Sequence, residues 1–204
     1  MINTLKVLRE AGFFTMYSNL NEEEILDEIY KKRKKAYSEI FNCQYDPGRD
    51  LSDRELAKQD YTKFLYLDFE AGVCAQNKVY AQLLEVLDEL SGRRNIITNI
   101  VEQWESETGP VMVSFKLNGE PKRYEPAYYD DWVDQESLEE VLSDISKVIQ
   151  QAFHLCIGPN GEWIGQEGNY IRLTDDERKI LETKLHWQFF DGFLKEMHAK
   201  SEKQ

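Results

Sequence analysis

The sequence predicts an α+β fold, a single two-layer domain over residues 1–204 whose mixed or antiparallel sheet contains a hairpin near 111–125 and is packed by about four helices. Three observations predict it. Apolar residues recur at helical spacing in several segments and alternate with period two in others, and the dipeptide Asn118–Gly119 stands between two alternating runs. At 204 residues, with 41% hydrophobic and 12% aromatic side chains, the chain has enough apolar surface for a core without metals or disulfides.

The first helix spans 21–41. Asn21 is placed to cap it, Glu22, Glu23 and Glu24 complement the positive end of the helix dipole, and Ile25, Leu26, Ile29, Ala36, Tyr37, Ile40 and Phe41 form its apolar stripe. Pro47 and Gly48 supply turn chemistry after it. Residues 63–69, KFLYLDF, alternate as a strand and lead into a second helix over 74–90, with Val79, Leu83, Leu87 and Leu90 inward and Ser91–Gly92 as the stop. The run Ile96, Ile97, Thr98 favours a strand within 95–104. VMVSFKL places Val111, Val113, Phe115 and Leu117 on one face, and Pro121 makes the returning strand short or an edge.

A third helix spans 135–152 with the cleanest stripe in the chain: Leu138, Val141, Leu142, Ile145, Val148, Ile149 and Ala152. HLCI and NYIRL read as two strands joined by the glycine-rich loop 158–168. Thr174 and Glu177 have capping-box spacing for a fourth helix ending near Leu185. Phe190, Phe193, Leu194 and Met197 mark a short C-terminal helix, and the tail from about 199 to 204 should fray.

Charge narrows the partners. The 25 bases and 38 acids leave a net −13; residues 1–60 hold ten and twelve, so residues 61–204 carry −11. Such a field disfavours nucleic acid and anionic membranes and favours basic proteins. Cys43, Cys74 and Cys156 have no pairing pattern, the N-terminal apolar stretch is broken by Lys6 and Arg9, and no run approaches the length of a membrane span. These features lead us to expect a cytoplasmic chain with reduced thiols; its oligomeric state is not legible.

Residues 120–144 concentrate the acids: nine of them against Lys122 and Arg123, with Tyr124, Tyr128, Tyr129 and Trp132 threaded among them. Within it DDWVD (Asp130, Asp131, Asp134) has DDxxD spacing and resembles, over five residues, the Mg²⁺–diphosphate site of prenyl-diphosphate synthases. That family is an all-helical bundle with a second acidic motif, whereas this chain has strand signals and no second element. We therefore read the acids as capping and solvating the third helix, and expect no metal or other cofactor.

Cys74, expected at a helix start, and His154, opening a strand, are the residues a cysteine-dependent hydrolase would use, because a helix dipole and an imidazolium both stabilise thiolate. The glycine-rich loop lacks GK[ST] and carries Glu162 and Glu167, which oppose phosphate. Trp163 at its tip is read as folding back on the core. The basic run 31–35 lies toward the C-terminal half of a helix, where cations complement the dipole. His186 and His198 read as surface or packing residues.

From Glu136 onward the acids are largely the wet face of the third helix. The run YYDDWVD is not absorbed that way. The expectation is a binding protein rather than an enzyme. Asp130, Asp131, Asp134 and Glu136 would supply charge complementarity to a basic partner and Tyr128, Tyr129 and Trp132 buried area. Its size and acidity are similar to those of bacterial immunity proteins, which makes masking of a basic toxin or nuclease the concrete version.

Overall fold

The computed structural model describes residues 1–41, 46–92, 95–157 and 166–190. Cys43, most of the glycine-rich loop with Trp163, and the C-terminal segment bearing Phe193, Leu194, Met197 and His198 lie outside the described residues. The α+β class with antiparallel sheets holds. Six α-helices and seven strands are present among the described residues, and the strands divide between two sheets instead of joining in one. The chain forms two compact units.

The first unit, Met1–Asp60 with Asp175–His186, is helical. It contains α1 (Ile2–Glu10), a 3₁₀ turn (Thr15–Tyr17), α2 (Glu22–Phe41), α3 (Asp53–Ala57) and α6 (Asp175–Lys184). Asn21 caps α2 as its sequence predicts: Glu24 N–H donates to Asn21 Oδ1 at 3.0 Å and Asn21 N–H donates to Glu24 at 2.8 Å, a reciprocal capping box. Ser52 and Glu55 repeat the device on α3. Leu5, Leu8, Phe13, Phe14, Ile25, Leu56 and Leu181 are buried. The last turns of α2 depart from expectation, since Ile40 stays 73% exposed and so does not extend the buried stripe of Ile25 and Ile29. Helices α1 and α3 are short, 9 and 5 residues, which is why periodicity over long windows passes over them.

The second unit, Tyr61–Thr174 and the chain from Trp187, holds every described strand. One antiparallel sheet runs in the order β1 (Phe64–Asp68), β6 (Glu167–Leu173), β5 (Ala152–Ile157), β7 (Gln188–Phe190). Phe190, expected in a C-terminal helix, ends β7, where it pairs with Leu155. The other sheet is the meander β2 (Ile97–Trp104), β3 (Val111–Leu117), β4 (Glu120–Tyr124). Its hairpin turns on Asn118 (φ 51°) and Gly119 (φ 88°), the two positive φ values a type I′ turn requires. β4 is short and on the edge, as Pro121 demands.

Helices α4 (Val79–Leu90) and α5 (Gln135–Ile149) share one core with side chains of both sheets, with α4 along β2 and α5 along β5. Two helix boundaries shift from the sequence reading. Helix α4 begins at Val79, not at residue 74, because residues 74–77 form a turn and Lys78 adopts a left-handed conformation (φ 50°). Helix α5 stops at Ile149 because Gln150 is left-handed (φ 58°) and β5 begins two residues later.

Candidate acidic and aromatic interaction site

The run preceding α5 is a short, tightly tied loop. Trp132 N–H donates to Tyr129 O at 3.2 Å, closing a turn over Asp130 (φ 59°) and Asp131. Aspartate is among the few non-glycine residues that tolerate this left-handed conformation. The loop is then sewn to the segment after β1: Val133 N–H donates to Phe69 O at 2.8 Å, and Val73 N–H donates to Asp131 O at 3.3 Å. Val133 is buried, so the chain leaves the turn with one residue anchored in the core.

These ties sort the predicted residues. Tyr129 stands 56% exposed beside the exposed carboxylates of Asp130 and Asp131, and Glu136 is exposed in the first turn of α5. Tyr128 and Trp132 are half-buried. The Tyr128 hydroxyl donates to Asp130 Oδ1 at 3.2 Å, and its ring meets Trp104 edge-on at 5.9 Å. Partial burial, with Asp130 adding to it, pushes the Tyr128 phenol upward.

Asp134 belongs to a different class. It is only 6% exposed, so it does not join the exposed surface expected of it. Its carboxylate accepts from Glu136 N–H at 3.1 Å, from the Ser137 hydroxyl at 2.8 Å and from Ala127 N–H at 2.9 Å. It caps α5 and closes the loop behind it. Its own N–H donates to the buried hydroxyl of Tyr80, whose pKa burial raises to about 12. The metal reading of DDWVD requires carboxylates about a helical turn apart on one helix face. Here Asp130 and Asp131 precede the helix on a turn and Asp134 faces backbone donors, so the three do not converge.

Sequence reasoning missed the neighbours that hold this loop. Trp104, at the end of β2, donates through Nε1 to Glu102 at 2.7 Å, and Glu102 also accepts from Ala81 N–H at 2.8 Å in the first turn of α4. Glu102 is buried and sits where the helix dipole favours an anion, which fixes the indole that Tyr128 packs against. Tyr128 also packs over Gly109, where an added Cβ would meet its own Cβ at 3.5 Å. The Gly109–Pro110 pair was legible as a break, but nothing local says that a tyrosine covers it.

Cys74 lies five residues before the start of α4, without the helix N-terminus expected for it; it is partly exposed beside Tyr128. His154 is on β5, ring against ring with Phe189 at 5.8 Å. Among the described residues no hydrogen bond or ion pair joins Cys74 to His154. The basic run of α2 is engaged locally. Lys31 pairs with Glu28 and Lys35 with Glu39, Lys34 lies over Tyr30, Lys32 reaches Tyr17, and Arg33 donates to the carbonyls of Pro47 and Gly48.

No protein-family model, curated protein or solved structure matches this chain. No helix among the described residues is long and apolar enough to cross a membrane.

Proposed function

We propose that this chain is a cytoplasmic protein-binding module that presents Tyr129, Asp130 and Asp131 to a basic protein partner and masks it, in the manner of an inhibitor or immunity protein. The observation that carries the reading is an exposed tyrosine flanked by two exposed carboxylates on a turn held by backbone hydrogen bonds on both sides. Ordering such groups in advance lowers the entropic cost of association. Carboxylates raise the encounter rate with a cationic surface, and a ring at the centre gives it area to bury. Tyr128 and Trp132 stiffen the base of the turn, and Glu136 extends the negative surface along α5. Cys74 and Cys156 are not held in a disulfide, which suits a reducing compartment.

The test is capture of partners from the native host at low ionic strength, eluted by salt, with the wild-type chain and with an Asp130→Lys/Asp131→Lys variant side by side. A basic protein retained by the former should elute from the latter at distinctly lower salt. Tyr129→Ala should weaken the same association by on the order of 2 kcal/mol if the ring is buried there. Indifference of every retained protein to both changes would sink the reading.

A further inference from the structure

The apolar stripe of α2 runs on past the core that covers its first half. Ile25 and Ile29 are buried, whereas Ala36 is exposed, Tyr37 half-buried and Ile40 73% exposed. Arg33, Ala36, Tyr37 and Ile40 share one helix face by their spacing and form one wall of a groove of about 300 Å³. Leu51, Glu55 and Lys58 stand in the facing wall. Both walls are fixed. Arg33 donates to the carbonyls of Pro47 and Gly48 at 3.2 and 3.0 Å, and the Ser52–Glu55 capping box holds the start of α3. In a chain of net −13 the charge here runs the other way, since residues 31–41 and 53–59 hold seven bases and three acids. Those three acids are engaged at home: Glu39 by Lys35, Asp53 by the Thr4 hydroxyl and Glu55 by Ser52.

We propose that this groove is a second docking surface and that its occupant is an acidic amphipathic helix of another protein. The apolar stripe of a surface helix ordinarily faces an element that covers it, and from Arg33 to Ile40 this one continues for about 10 Å, two turns, beyond its cover. A partner helix with apolar residues at i, i+3 and i+4 matches that length and sets them between Tyr37, Ile40 and Leu51. Carboxylates beside those residues meet Lys58 in the facing wall and Lys32 and Lys34, which are exposed on either side of the Arg33 position. The present contacts of Lys32 and Lys34 are with the rings of Tyr17 and Tyr30 at the surface, and such contacts contribute little and exchange readily. The acids of residues 61–204 do not forbid the approach, because at physiological ionic strength charges beyond about 8 Å are largely screened. Nucleic acid fits less well, since the middle of the groove is apolar, and a lipid surface is flat where this site is concave. The proposal does not depend on the basic-partner reading: it uses residues of the helical unit, and the exposed turn belongs to the other.

The experiment is a titration of the isotope-labelled chain with a two-heptad peptide that carries leucine on one helical face and glutamate on the other, following the Ile40 methyls and the Tyr37 ring by NMR. The same peptide with lysine for glutamate, the same with alanine for leucine, phosphatidylserine vesicles and single-stranded DNA are the comparisons. The leucine–glutamate peptide should shift both signals saturably, and the lysine and alanine peptides should each bind at least tenfold more weakly. Ile40→Gln, at a side chain mostly in water, should leave the fold intact and lose at least tenfold in affinity for that peptide. Lys34→Gln/Lys58→Gln should weaken it severalfold and flatten its dependence on salt. Silence at Ile40 and Tyr37, equal affinity for the lysine peptide, or an unaltered Ile40→Gln variant would each overturn the proposal. A response of these two residues to the vesicles or to DNA but not to the peptide would overturn it as well, and would give the face to a lipid or a nucleic-acid phosphate instead.

Discussion

At the scale of single residues, neighbours of identical chemistry have opposite duties. Asp130 and Asp131 face solvent, while Asp134, three positions on, is buried on three donors. Asp134→Ala should therefore cost about 1–2 kcal/mol as a lost N-cap, with more from the unsatisfied Ala127 N–H. The expected fall in Tm is about 3–8 °C in thermal unfolding. Asp134→Asn should recover part of it, because its carbonyl still caps Glu136 N–H while its amide presents a donor to another donor. Tyr129→Ala should leave Tm unchanged, since its ring is mostly in water. The acids were legible as a cluster; which one was structural was not. Burial of Asp134 depends on Tyr80 and Ala127, 54 and 7 residues away, and no local pattern encodes both contacts.

At the scale of elements, α5 carries two carboxylates shifted in opposite directions. Asp144 accepts from Lys122, Lys147 and the Tyr124 hydroxyl, which together hold it well below the ordinary carboxylate range. A depressed native pKa gives stability that is present above the unfolded value, near pH 4, and is lost as pH falls through the native one. Asp144→Asn should thus destabilise the protein at pH 7 by on the order of 1–3 kcal/mol, with the difference fading in acid. Glu139 is the reverse: burial raises its pKa despite a hydrogen bond from Tyr170 at 2.9 Å. Its charged form is the penalised one, so stability from this site is full below the unfolded pKa and lost as pH rises through the native value. Glu139→Gln should stabilise the protein near pH 7 and bring no gain near pH 3; denaturant unfolding at the two pH values checks both variants. The β3–β4 hairpin was the most legible element, because Asn-Gly satisfies the type I′ turn by itself. At Gly119 (φ 88°) a side chain has open space but a strained backbone, so Gly119→Ala should cost about 1 kcal/mol by the same measurement.

At the scale of the whole molecule, the chain visits its helical unit twice. Helix α6 follows β6 in sequence yet packs with α1, Leu181 is fully buried, and Lys184 reaches Glu10. A fragment starting at Tyr61 would keep α6 and lose α1, α2 and α3. It should bind a hydrophobic dye that the full chain does not, and dye binding equal to the full chain's would show that α6 needs no cover from those helices. Most of the excess of acid over base, −11 of −13, falls in residues 61–204, the part that bears the exposed turn. Charge at this scale is additive, so the sequence states it outright.

Composition, the long stripes of α4 and α5, the alternation of β3 and the turn at Asn118–Gly119 were all determined by the sequence, because each depends on residues within a few positions of one another. The division of the strands between two sheets, the return of α6 to the N-terminal helices, and the sorting of Tyr129 and Asp130 outward from Asp134 inward were decided only in the tertiary structure. Exposure is a property of what lies across from a residue, and for Tyr128 that is Trp104, 24 positions away. Periodicity carries no information over that distance.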